Sequence, residues 1–221
     1  MLVVLGGCAA SDATRVEVAE GPVLIAIDGA SQGPPGSDFV PRWRVALRMP
    51  DGSTRAIDRE AIAFVPAWRG GAALVDVERR LYEVGASGAL RMLAASVNGE
   101  LAVSGELLVY VVGSELTSEL RVHDGNVERT IASALASIGA LRVVEGRVLF
   151  VGAVSGGVAG VWQAPLDGSG ARCLTNCELR TGTDWGQRHV PLPGSRESFE
   201  LDGDRVVWID AVGVRHQAVL P

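Results

Sequence analysis

Asp184, Trp185, Arg188 and His189 bring a carboxylate, an indole, a guanidinium and an imidazole within six positions of one another. They sit in the stretch 176–193, the longest in the chain without strand-like patterning. Tryptophan and arginine anchor interfaces because they combine large contact area with fixed hydrogen-bond geometry, so these four are the expected binding residues. Packing of Trp185 between neighbouring sheets is the other reading, and both stay open.

Catalysis has fewer candidates. His123, His189 and His216 are isolated, with no His-x-x-x-His pair. His123 beside a turn and His216 in a terminal strand are expected to be solvated. No Gly-x-Ser-x-Gly elbow occurs, which counts against an α/β-hydrolase. All 20 basic residues are arginine, and the missing lysine excludes Schiff-base, Ser-x-x-Lys and P-loop chemistry. The arginines look scattered, as a GC-rich genome would leave them. Asp76, Glu78 and Glu83 are the nearest approach to paired carboxylates, and a solvated face is their default. Asp202-Gly203-Asp204 with Asp210 lacks the alternating oxygen ligands of a calcium loop and is expected to be a hairpin turn. Cys173 and Cys177 stand four apart without further ligands, a poor zinc site. No catalytic residue, metal or cofactor is therefore assigned. The net charge of −6 and pI of about 5.1 argue against a nucleic-acid partner.

The elements that must position these residues are strands. Helical patterning is weak everywhere, and its best stretch, 128–141, is interrupted by serines and Gly139. Short Val/Ile/Leu/Ala runs instead alternate with glycine-containing turns, the pattern of antiparallel hairpins. The turn glycines Gly52, Gly88, Gly125 and Gly168 are spaced by 36, 37 and 43 residues, near the ~40–45 of a four-stranded propeller blade. Strands at 43–49 and 54–57, 81–84 and 89–93, 119–122 and 127–131, and 161–164 and 171–174 flank them. An earlier turn opens several units at Asn98-Gly99, Glu145-Gly146 and Asp202-Gly203. Ser155–Gly160 fits a connection between strands rather than a nucleotide loop.

The unit from Glu145-Gly-Arg-Val-Leu-Phe-Val-Gly-Ala through Val161-Trp-Gln-Ala-Pro-Leu-Asp-Gly-Ser-Gly-Ala-Arg-Cys-Leu-Thr175 resembles a TolB-like (PD40, WD40-like) blade. Leu201-Asp-Gly-Asp-Arg-Val-Val-Trp-Ile-Asp210 resembles the start of another. The resemblance implies an all-β propeller of about five four-stranded blades. Its strand order puts the Asp-Gly turns on one face and gathers the long loops on the other. The last unit lacks an outer strand, so 15–19 is expected to supply it and close the ring; a disordered tether is the alternative. Trp43, Trp68, Trp162 and Trp208 are expected in the core or between blades.

Met1-Leu-Val-Val-Leu-Gly-Gly-Cys8 resembles the end of a lipoprotein signal, with Cys8 as the lipidated residue. Only four apolar residues precede the box, where a signal needs 7–15, so either the true start lies upstream or the match is accidental. The expected organisation is a truncated signal and anchor at 1–8, a tether at 9–14 and one propeller domain at 15–221. In an oxidising envelope Cys173 and Cys177 could pair, leaving Cys8 odd; two free thiols are the alternative. TolB-like propellers act in the periplasm as interaction modules. The implied function is a non-enzymatic, lipid-anchored module binding a protein partner in the envelope of a Gram-negative bacterium, touching the membrane only through its anchor. The alternative is a carbohydrate-binding or carbohydrate-active propeller with acidic and aromatic residues at its channel mouth.

Overall fold

Short β-branched runs broken by glycine leave the chain few options besides antiparallel pairing. The computed structural model describes residues 21–28, 42–113, 117–154, 160–174, 199–209 and 215–219. Among these there are sixteen strands and no helix. The chain divides into two units, residues 1–112 and 113–221.

In the first unit six strands form one antiparallel series: β1 (Val23–Asp28), β2 (Trp43–Arg48), β3 (Thr54–Trp68), β4 (Gly71–Asp76), β5 (Leu81–Val84) and β6 (Leu90–Ala94). A hairpin follows, β7 (Val97–Ser104) and β8 (Leu107–Gly113). The second unit holds β9 (Ser118–His123), β10 (Glu128–Val144), β11 (Arg147–Val154), β12 (Gly160–Pro165) and β13 (Arg172–Cys173). It ends with the meander β14 (Glu200–Asp202), β15 (Arg205–Ile209) and β16 (Arg215–Val219).

Two strands are unusually long because each serves two sheets. The first half of β3 pairs with β2 and the second half with β4, and Ala61 is opposite both Trp43 and Asp76. In β10, Leu135 is opposite both Ser118 of β9 and Val154 of β11. Register shifts flank both changeover points, as bulges must where one strand bends between two ladders. The expected loop from one blade to the next is thus replaced, at these two places, by continuous strand. What results in each unit is a complete four-stranded antiparallel meander: the second half of β3 with β4, β5 and β6, and the second half of β10 with β11, β12 and β13.

The cores lie between sheets stacked within a unit. All six residues of β4 are buried, and alternate side chains enter different clusters. Ala72 and Leu74 pack with Leu24, Val45, Leu47 and Ile57. Ala73 and Val75 pack with Trp68, Leu81, Leu108 and Tyr110. A strand buried on both faces shows no polar alternation, which is why Ala72–Val75 is continuously apolar. In the second unit, Leu149 and Val161 pack against Phe199 and Val206.

The four turn-flanking hairpins lie where the sequence places them: β2–β3, β5–β6, β9–β10 and β12–β13. Asn98-Gly99 is not a turn. Gly99 (φ 97°) lies inside β7 at a register shift, and the hairpin turns instead at Gly105-Glu106. A turn at Arg69-Gly70 (φ 52° and 71°), absent from the sequence expectation, joins β3 to β4. Among the described residues no sheet closes on itself, and the 15–19 strand lies outside them.

Candidate functional site

The glycine turns fix where the arginines point. The N–H of Gly88 donates to Gly85 O at 2.8 Å, and that of Gly168 to Pro165 O at 3.1 Å. Both glycines have φ near 80°, where a side chain would be strained. Three or four residues after each turn glycine stands an arginine: Arg55, Arg91, Arg129 and Arg172. Two of them join neighbouring sheets. Arg55 donates to the backbone oxygen of Ser87, and Arg129 Nε donates to Leu166 O at 3.0 Å. The same residue type thus holds the equivalent turn of the next sheet in each unit. This corrects the reading of the arginines as scattered.

The other two arginines face the preceding strand of their own meander. Arg91 is directly opposite Glu83, with Nε 2.7 Å and its terminal nitrogen 2.5 Å from Glu83 Oε2. At the corresponding place in the second unit, Arg172 is opposite Gln163. Oriented by its hydrogen bonds, Gln163 turns its oxygen to Arg172 and accepts from Nε at 2.5 Å and from a terminal nitrogen at 3.1 Å. Its amide nitrogen then faces Arg147, whose guanidinium lies 3.5 Å away. In the opposite orientation Gln163 would gain one long contact and lose both short ones.

Arg147, Gln163 and Arg172 line an open groove of about 420 Å³, completed by the Glu145-Gly146 turn, Pro165, Ser169 and Gly170. Gln163 is 5% exposed, so its amide is buried at the groove floor. Among the described residues, no carboxylate forms an ion pair with Arg147 or Arg172. The lining thus carries two guanidinium groups and one carboxylate, that of Glu145. The first unit cannot make the same groove. Its counterpart of Arg147 is Gly71, where a Cβ would overlap the Val84 carbonyl oxygen.

The turn carboxylates are structural. Asp51, Asp124 and Asp167 accept from backbone N–H groups two or three residues on, at 2.8–2.9 Å. All three are held below the usual carboxylate value. For Asp51 the chief cause is the hydroxyl of Ser53. For Asp124 and Asp167 it is the N–H of Val127 and of Ser169 respectively.

Several expected site residues are placed differently. His123 is not solvated: it is 6% exposed, and its Nδ1 accepts the N–H of Gly125 at 2.7 Å. Asp76 is not on a solvated face. It is 1% exposed and accepts from the N–H groups of Glu78 and Arg80, both at 2.9 Å, and from Arg59 at 3.2 Å. Glu78 pairs with Arg80 and Glu83 with Arg91, so the three acids do not converge. His216 lies in β16 opposite Trp208. Asp202-Gly203-Asp204 forms the β14–β15 turn. Trp43 meets Phe64 edge-on, Trp68 is buried, and Trp162 stacks on Phe150.

The expected binding residues Asp184, Trp185, Arg188 and His189 lie outside the described residues, as do Cys8 and Cys177. Cys173 is disulfide-bonded.

No family model matches the chain, and no curated protein matches it. Solved structures do resemble it. A puromycin hydrolase mutant complexed with PGG matches at 16% identity and TM-score 0.49, over 80% of this chain and 28% of that one. Puromycin hydrolase itself matches at 17% and 0.47, over 80% and 28%. A structure from a mechanistic study of two prolyl endopeptidases matches at 14% and 0.46, over 79% and 26%. The chain thus spans little more than a quarter of the proteins it resembles. These neighbours are enzymes, and the expectation that this chain is not an enzyme is withdrawn on that finding. The coarse part of the fold expectation stands: an all-β chain of four-stranded antiparallel sheets with β-propeller-like neighbours.

Proposed function

We propose that the chain is a TolB-like propeller of about five blades, closed by the 15–19 strand, that recognises a protein partner in the bacterial envelope. The observation that carries the recognition role is the groove of Arg147, Gln163 and Arg172. Two guanidinium groups flank a buried amide there, neither in an ion pair with a carboxylate of the described residues, and Glu145 completes the lining. Side-chain polarity concentrated at a concave place with a fixed floor is what a recognition site requires. The envelope location and the Cys8 anchor rest on the Leu5-Gly6-Gly7-Cys8 box, and the disulfide at Cys173 accords with an oxidising compartment.

The test is affinity capture from the envelope fraction with the full chain and its Arg147→Glu, Arg172→Glu variant. Loss of the captured partners from the charge-reversed protein is the expected result. Unchanged capture by a folded variant would overturn the assignment of recognition to this groove.

A further inference from the structure

We infer that the disulfide at Cys173 is a redox latch on the groove: a dithiol that reduces it releases β13, and with that strand Arg172. This names a means of regulation for the recognition site proposed above and rests on that reading. Among the described residues β13 is the edge strand of its sheet, and it is thinly attached. Its register with β12 covers only Trp162↔Cys173 and Gln163↔Arg172. One further hydrogen bond follows, from the Leu174 N–H to Val161 O at 2.8 Å. So few backbone bonds at a sheet edge, each worth little net in water, leave a strand free to fray. Yet this strand carries Arg172, whose guanidinium donates to Gln163 and lines the groove.

The first unit holds the same strand without a cysteine. There β6 pairs with β5 at four positions, from Leu81↔Ala94 to Val84↔Leu90. After Ala95 and Ser96 the chain enters β7, where the Val97 N–H donates to Arg79 O at 2.9 Å. The exit of β6 is thus tied at once to its own meander. After β13 the next described strand, β14, begins only at Glu200. Met92 of β6 faces Tyr82, and at the same place of β13 Cys173 faces Trp162. The Cys173 sulfur is covalently bonded. A cross-link there removes conformations that a detached strand would gain, and so holds β13 where its ladder is short. Cys173 is half-buried on this edge, within reach of a thiol, and partly exposed disulfides are the labile ones. A thiolate of the dithiol attacks one sulfur, the S–S bond breaks, and the other cysteine leaves as a thiolate that takes up a proton. The second thiol then displaces the first cysteine and closes the dithiol into its own disulfide. The protein gains two electrons and two protons, and the dithiol loses them.

The experiment is amide hydrogen exchange of the full chain, followed by NMR with the disulfide intact and after reduction by dithiothreitol. Exchange at Leu174 should speed up about tenfold or more on reduction. Gly85, whose N–H donates to Ala89 O in the first unit, should exchange as before. Cys173→Ser without reductant should reproduce the reduced pattern. The other cysteines of the chain are Cys8 and Cys177, and one of Cys8→Ser and Cys177→Ser should do the same. Unchanged exchange at Leu174 would overturn the inference. So would equal acceleration at Gly85, because the disulfide would then staple the whole fold and not latch one strand. Envelope capture tests the recognition reading separately, and Cys173→Ser should capture its partners several-fold less than the wild type. If Cys173→Ser captures in full while Arg147→Glu, Arg172→Glu loses the partners, only the latch fails. If neither variant loses them although Leu174 exchanges faster, the recognition reading fails and the release of β13 stands.

Discussion

The meander of the first unit and that of the second carry the same cross-strand arginine and differ in what it meets. Arg91 faces Glu83 and is neutralised within its own sheet. Arg172 faces Gln163, whose neutral amide oxygen accepts from it, and forms no ion pair with a carboxylate of the described residues. The residues that begin β4 and β11 differ as well, Gly71 against Arg147. A repeat architecture makes this contrast informative, because the backbone is held nearly constant while the side chains change. One copy is a closed ion pair on a structural sheet. The other is a neutral amide that accepts from its arginine.

The sharpest way to break the contrast is to exchange the residues that begin β4 and β11. Gly71→Arg should cost about 3 kcal/mol or more, or prevent folding, because its Cβ overlaps the Val84 carbonyl. The reverse change, Arg147→Gly, should cost no more than about 1 kcal/mol. Urea unfolding of both variants checks this, and equal losses would show that the two positions are not built differently.

A second effect separates the strand ends. Asp76 terminates β4 and holds two backbone N–H groups, where the corresponding residue of β11 is Gly152. Asp76→Ala should cost about 1–3 kcal/mol, since the Glu78 and Arg80 N–H groups lose their acceptor. Thermal melting reads the loss, and an unchanged midpoint would mean that water replaces the carboxylate without penalty.

The repeated arginine contacts predict a smaller and matched effect. Arg55→Ala and Arg129→Ala should each destabilise by about 1 kcal/mol, because each removes one hydrogen bond to the next turn. A large inequality between them in chemical unfolding would show that the two contacts are not equivalent.

The smallest effect is the acid response of the turns. The carboxylates of Asp51, Asp124 and Asp167 are held below their ordinary value of 3.8 in the folded chain. Their contribution is therefore present above that value and lost as the pH falls through the lowered ones. The turn of the first-unit meander has Ser87 in this place, and its hydroxyl accepts from Ala89 without titrating. Replacing all three aspartates by asparagine should flatten the stability curve below about pH 4. Melting curves between pH 7 and 2 decide it, and an unchanged slope would remove these turns from the acid response.

The turn-glycine hairpins were legible in the sequence because their glycines require positive φ and their flanking runs alternate. The Asn98-Gly99 pair misled for a related reason. Gly99 does need positive φ, but it uses it for a bulge against Ile62 and not for a turn. Arg69-Gly70 has no asparagine or aspartate to announce it. His123 looked solvated beside its turn, whereas its ring caps the turn from inside. The groove was invisible for a deeper reason. Gln163 and Arg172 belong to no motif, and only the register of β12 with β13 sets them opposite each other. Arginines recurring after each turn glycine were the available signal, and they are apparent once the four turns are aligned.

The most direct measurement is a crystal structure of the full chain. The account predicts the Gln163 oxygen on Arg172, with Glu83 paired to Arg91 at the corresponding place of the first unit. A Gln163 oxygen turned to Arg147 instead would contradict it.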